Sequence, residues 1–358
     1  MASRGVRKVK LDWVEAGRGI AAALVMLSHA GTTHPIPIDG DLLGFLGSTG
    51  VGFFFVLSGF IMVHVHRDDV GHPRVVPHFV WRRLGRIFPT YFVAFAIMLG
   101  VNLLQKSSVR VDVTPSFLAE QLLLLPGVKM FLGPAWTLRN ELFFYFVFSF
   151  LLVDRRLGLA LFVGWFCLLM GCLVVYGPWT QATDGFPDIY LHHVNLYFLM
   201  GIAVAVADRN GWLSRFAICC VGAAVILLGL SFTALTRDPA VLWIMGLFPA
   251  YAAILGGAVL MSKGEIRAPR FLVWLGAISY SLYLVHLSTF ILLRGVDHLV
   301  GRPLDPIWPV RLAIQCAIAV GFAGLIHHLF ERPALDWVNR RRAVLGFFVG
   351  RPDRAMAS

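Results

Sequence analysis

Runs of about twenty predominantly apolar residues recur from one end of this 358-residue chain to the other, more than the core of a water-soluble fold can absorb. Hydrophobic residues make up 58% of the sequence and charged residues only 14%. The pattern predicts an all-α polytopic membrane protein, because a span through hydrocarbon must satisfy its own backbone hydrogen bonds. We place about ten transmembrane helices, at roughly 11–31, 44–66, 87–105, 136–153, 157–176, 190–207, 213–233, 241–261, 271–293 and 308–330. The first carries charge and has no small-residue cleavage site behind it, which makes it a poor secretory signal. No stretch of soluble-domain size is left over. Residues 1–358 therefore read as a single membrane-embedded domain, with a basic segment at 1–10 and a basic tail at 334–358.

Lys and Arg number 31 against 20 Asp and Glu, a net charge of +11. Its placement follows topology. An even number of spans puts both termini on one side. If Arg4, Arg7, Lys8 and Lys10 are cytoplasmic, so are Arg67, Arg74, Arg82, Arg83, Arg86, Arg155, Arg156, Arg209, Arg215, Lys263, Arg267, Arg270 and the Arg340–Arg342 cluster. The opposite loops hold Asp39, Asp41, Asp184 and Asp188. This positive-inside bias predicts two cytoplasmic termini and leaves little charge for a nucleic-acid partner to explain. The cysteines (Cys167, Cys172, Cys219, Cys220 and Cys316) fall within apolar spans without CxxC spacing, so they read as small core residues.

Polar residues inside the apolar runs mark the chemistry. Arg18 and His29 share the first span, and eleven residues at about 100° each return to within roughly 20° of one face. A guanidinium at membrane depth costs at least a few kcal/mol, so it is retained for function or for a buried partner. His29 is a natural general base towards a hydroxyl, with an interfacial histidine as the plain alternative. Glu15, three residues before Arg18, is one candidate partner on the same helix. Arg83 and Arg86 stand one turn apart where the third span begins and suit phosphate oxygens; the alternative is a pair of snorkelling anchors.

Glu141 follows WTLRN at the outer mouth of an aromatic-rich span. There it can hold sugar hydroxyls or orient an imidazole, or simply pair with Arg139. Trp136 offers a face on which a sugar can stack. Ser281 and Tyr283 add polar groups to LGAISYSLYLVH, on different sides of that helix. His192-His193 and His327-His328 lack a carboxylate or cysteine partner at ligand spacing, so no metal is expected. Within the long loop 106–135, FLAEQLLLLPG is too short to span and reads as re-entrant or interfacial.

Taken in order, these segments resemble the acyltransferase-3 family of integral membrane O-acyltransferases, including bacterial polysaccharide O-acetyltransferases. The resemblance rests on R-x10-H as Arg18 and His29, on GVGFFFVLSGFIM, and on RRLGRIFPTYF with R-x-x-R as Arg83 and Arg86. It continues through PAWTLRNELFFYF with Glu141, LGAISYSLYLVH and the closing ERP. Where members often open the first helix with LDGLRG, this chain reads LDWVEAGRG, so Glu15 stands where an Asp is often seen.

The resemblance implies transfer of an acyl group, most commonly acetyl, from cytoplasmic acyl-CoA (acetyl-CoA) as donor substrate, with no metal. The implied acceptor is a hydroxyl of an extracytoplasmic or lipid-linked carbohydrate such as exopolysaccharide or O-antigen, at a bacterial inner membrane. Arg83 and Arg86 would bind the coenzyme A phosphates, and His29 would deprotonate the acceptor or carry the acyl group. Arg18 and Asn140 would stabilise charge, and Glu141 would position the acceptor or the imidazole. Glu15, Trp136, Asn140, Ser281 and Tyr283 would line the acceptor. A homo-oligomer is compatible with all of this. The alternatives are acylation of a lipid or secondary metabolite, and a proton-coupled transporter or flippase. Against the transporter, the two halves of the sequence show no paired repeat and no matched broken helices.

Overall fold

The computed structural model describes residues 11–33, 36–104, 112–176, 186–215, 218, 239–264, 266–301 and 307–346. Among these residues every regular element is helical. We number the α-helices α1 (Asp12–Thr33), α2 (Gly40–His66), α3 (Val76–Leu104), α4 (Pro115–Leu122), α5 (Trp136–Val153), α6 (Arg155–Tyr176), α7 (Phe186–Leu191), α8 (Leu196–Arg209), α9 (Pro239–Lys263), α10 (Arg270–Ala277), α11 (Ser279–Leu299), α12 (Trp308–Ile326) and α13 (Arg332–Gly346).

Among the described residues, five helices are long and apolar enough to cross a membrane: Gly40–His66, Pro73–Leu104, Gly133–Val153, Arg155–Cys172 and Trp308–Arg341. A sixth is reached if α10 and α11, bent by 72° about Ile278, count as one span. These correspond to six of the ten spans expected from the sequence. The other four are not among these, for separate reasons. The expected span at 213–233 lies largely outside the described residues. Helix α8 has 14 residues and rises about 21 Å, less than a hydrocarbon core of about 30 Å. Helix α9 (Pro239–Lys263) has 25 residues, but the side chains of 239–249 lie outside the described residues. Helix α1 has the length, at 22 residues, but carries Asp12, Glu15 and Arg18.

The chain divides into two compact units, each gathered from separate stretches: 1–64, 176–180 and 193–280 form the first, and 65–175, 181–192 and 281–358 the second. Glycine sets the spacing within the first. A Cβ on Gly19 would meet the Gly276 backbone nitrogen at 2.7 Å, and one on Gly276 would overlap the Glu15 carbonyl, so α1 and α10 touch backbone to backbone. Gly59 of α2 and Gly201 of α8 make an equivalent seam against the Phe198 and Val56 carbonyls. Small residues permit such approach where apolar burial supplies little drive between helices.

The second unit is held by aromatic rings. Phe79 packs against Tyr145 and Phe148, and Phe144 and Phe148 close on Phe162. Helix α13 lies on α3, with Val338 filling the notch at Gly85 and Trp81 donating from Nε1 to the Val338 carbonyl at 3.2 Å. Thr114 caps α4, accepting from the Phe117 N–H at 3.1 Å, and Leu124 takes a left-handed φ of 54° to end that turn. Buried Gln121 ties the following loop down: its Nε2 donates to the Lys129 carbonyl, its Oε1 accepts from the Phe131 N–H, and its own carbonyl accepts from Tyr91. The FLAEQLLLLPG segment is thus a short helix and a packed turn, stitched to α3.

Candidate active site

In the first unit, α1 presents Arg18 to two neighbours. Nη1 donates to both carboxylate oxygens of Glu15, at 3.1 and 3.2 Å, and Nη2 donates to Ser279 Oγ at 3.1 Å. The i,i+3 spacing brings Glu15 and Arg18 together on one face of the helix. The Gly19–Gly276 contact draws in the start of α11, so that Ser279, next to the Ile278 bend, comes within reach of the guanidinium.

His29 lies eleven residues along the same helix. Its Nδ1 sits 2.8 Å from the Val25 carbonyl, which can only accept. Nδ1 therefore carries a proton, and in the neutral ring the lone pair is on Nε2. A neutral imidazole with its tautomer fixed in this way is ready to take a proton at Nε2. Ser28 Oγ donates to the same Val25 carbonyl at 2.8 Å, which helps hold this turn of the helix.

In the second unit, Arg83 lies over two rings, with its Cζ 5.5 Å from the Phe79 centroid and 5.4 Å from that of Tyr145. Its Nη2 meets His66 Nε2 at 3.0 Å, and its Nε is buried without a hydrogen-bond partner among the described residues. Tyr145 donates in turn to Glu141, one helical turn before it. Glu141 is thus held by Tyr145, whose ring Arg83 also lies over. Arg86 is half-buried one turn after Arg83. For an anionic group, this pair offers two guanidiniums and one buried donor with capacity left, which fits a phosphate.

Other expected positions are held by internal bonds. Asn140 donates from Nδ2 to the Ile189 carbonyl at 2.8 Å. The Tyr283 hydroxyl donates to the Pro134 carbonyl at 3.0 Å and lies 2.9 Å from Thr137 Oγ1, fastening the start of α5. Ser281 donates to Glu331 Oε2 at 2.6 Å. Trp136 stands 6.4 Å, centroid to centroid, from the His192 ring.

Several polar groups escape sequence reading. Glu331, part of the ERP motif, is only 3% exposed. It closes a π-turn, His327–Glu331, that joins α12 to α13. His327 Nδ1 reaches Glu331 Oε2 at 3.0 Å, which corrects the expectation that this histidine pair has no carboxylate partner. Buried Arg139 and Arg311, and the His66–Asp69 contact at 2.9 Å, are likewise unforeseen. The first two look like apolar-run interruptions, and the third needs the loop after α2 to fold back. Among the described residues no three His, Cys, Asp or Glu side chains gather as a metal site.

Comparison with known proteins points to one family. The exopolysaccharide production protein ExoZ of Rhizobium meliloti (strain 1021) is 28% identical over 318 residues, covering 84% of this chain and 93% of its own. The acyltransferase MdmB of Streptomyces mycarofaciens is 27% identical over 339 residues, covering 84% of each. No solved structure shows a significant match. The family described as an acyltransferase domain matches residues 11–327, which takes in the Arg18–His29 helix, the Arg83–Arg86 turn and Glu141. The chain therefore belongs to the acyltransferase-3 family.

Proposed function

We propose that the protein moves an acetyl group from cytoplasmic acetyl-CoA to a hydroxyl of an extracytoplasmic or lipid-linked carbohydrate, at a bacterial inner membrane, with both termini cytoplasmic. The fixed tautomer of His29 carries the reading: its Nδ1 is committed to the Val25 carbonyl, so Nε2 is the atom that takes the acceptor proton. The alkoxide then attacks the thioester carbonyl, and collapse of the tetrahedral intermediate expels the coenzyme A thiolate, which recovers the proton from the imidazolium. Arg18 stabilises developing negative charge from its seat on Glu15 and Ser279. Arg83 and Arg86 hold the donor phosphates. Glu141, kept in place by Tyr145, positions the acceptor, and Trp136 offers it a stacking face. Glu15, Asn140, Ser281 and Tyr283 enter as positioning residues, since each is itself held by an internal hydrogen bond. The name of ExoZ favours a polysaccharide acceptor over a lipid or small metabolite.

The test is purified full-length protein given acetyl-CoA and candidate glycans, read by release of free thiol and by mass of the glycan. His29→Ala should lower turnover by about 10²- to 10⁴-fold, the range for a general base. Wild-type turnover in that variant removes His29 from the mechanism. Transfer that needs no thioester removes the donor assignment.

A further inference from the structure

Arg83 meets His66 through two nitrogens, Nη2 and Nε2, 3.0 Å apart. A guanidinium nitrogen can only donate, so His66 Nε2 must accept, and the imidazole must be neutral with its proton on Nδ1. That nitrogen faces Asp69 Oδ2 at 2.9 Å, so the carboxylate fixes the one tautomer that Arg83 can use.

The loop between α2 and α3 is shaped for this. Asp69 returns its N–H to the His66 carbonyl at 3.0 Å, and His72 returns its own to Asp69 at 3.2 Å. Gly71, at φ 76°, sends its N–H to the Leu151 carbonyl at 3.1 Å, which pins the loop to the end of α5. A φ of that sign is one an L side chain rarely adopts, so the return path over His66 calls for glycine there. His66 is itself 4% exposed and walled by the Phe79 and Phe148 rings.

We infer that His66 and Asp69 are positioning residues for the donor site: Asp69 sets the His66 tautomer, and His66 aims the Arg83 guanidinium so that its remaining donors meet a phosphate of the acyl donor. The inference rests on the proposed role of Arg83 in phosphate binding. The arrangement holds the cation without neutralising it. A direct carboxylate on Arg83 would cancel the positive potential that attracts an anion, whereas a neutral acceptor orients the group and leaves its charge in place.

The experiment compares two donors, acetyl-CoA and acetyl-pantetheine, which has the same thioester arm and no phosphate. The full-length protein is assayed for the KM and kcat of each. Wild type should prefer acetyl-CoA in KM by about tenfold or more, the yield of charge-assisted bonds to phosphate. Arg83→Ala should erase most of that preference.

His66→Asn, whose amide can reach Asp69 but not Arg83, should also erase it, with KM for acetyl-pantetheine unchanged. His66→Gln, whose Oε1 falls near the place of Nε2, should retain it to within about threefold. Asp69→Ala should lie between the two. A His66→Asn enzyme that keeps the wild-type preference, or one that loses activity equally with both donors, overturns the positioning role. Equal KM values for both donors in wild type, or an unaltered preference in Arg83→Ala, overturns the phosphate role of Arg83 instead.

Discussion

Arg18 on α1 meets its carboxylate directly, with both Glu15 oxygens within 3.2 Å of Nη1, whereas Arg83 on α3 reaches Asp69 through His66 and Glu141 through Tyr145. The two guanidiniums occupy similarly apolar helices, yet they are compensated differently. At Arg18 the charge is largely balanced on its own helix, which suits a group meant to sit still and feel small changes of charge nearby. At Arg83 the groups in contact are a neutral imidazole and the Phe79 and Tyr145 side chains, with the Glu141 carboxylate reached through Tyr145. Arg18 is paired directly, and Arg83 is paired through intermediaries.

That distinction can be broken most forcefully at Glu15. Removing one partner of a largely desolvated pair costs about 3–5 kcal/mol, and less where the carboxylate is partly wet. The Glu15 side chain is 32% exposed, so Glu15→Ala should lose about 2–3 kcal/mol of stability, seen as a lowered unfolding midpoint in detergent. Next comes the donor affinity: Arg83→Met should weaken coenzyme A binding by about 10- to 100-fold by titration calorimetry, while Arg18→Met stays within about twofold. Equal losses from the two would erase the contrast. Combining Glu15→Ala with Arg18→Met should recover most of the stability lost by Glu15→Ala alone, because no uncompensated charge remains. A purely additive double variant would mean that the pair is not coupled.

The smallest effects concern Tyr145. Tyr145→Phe keeps the ring beside Arg83 and removes the bond to Glu141, at about 1 kcal/mol of stability. Tyr145→Leu also removes the ring and should add a loss of about 0.5–2 kcal/mol in the same unfolding assay. If the two variants behave alike, the ring does not help to hold the cation.

Much of the first contrast is readable along a single helix. Three residues separate Glu15 from Arg18, and helical geometry alone puts them side by side, so their contact follows from spacing. Five spans, and a sixth if α10 and α11 count as one, follow from apolar length among the described residues, since hydrocarbon thickness sets the count of residues needed. The apolar run at 190–207 includes a separate turn at His193–Asn195, a break that hydropathy does not register. The Arg83 arrangement is hidden for a different reason. His66 lies seventeen positions earlier in sequence, and its approach depends on a left-handed glycine and a carbonyl at the end of another helix. The Glu331–His327 contact was within reach at i,i+4, but Ser281 comes from fifty residues away. Local spacing speaks of partners on one helix and says little about those that a turn or a neighbouring helix delivers.

The glycine seams of the first unit bear on how such a protein can change over generations. Where Gly276 rests on the Glu15 carbonyl and Gly201 on that of Val56, there is no side chain to trim or enlarge by one methyl group at a time. Even alanine must push two backbones apart, and at the first seam the displaced strut carries both Arg18 and Glu15. Drift towards a new acceptor is then expected to proceed by exchanging residues around the seams and leaving the seams intact, much as a hinge pin outlasts many doors.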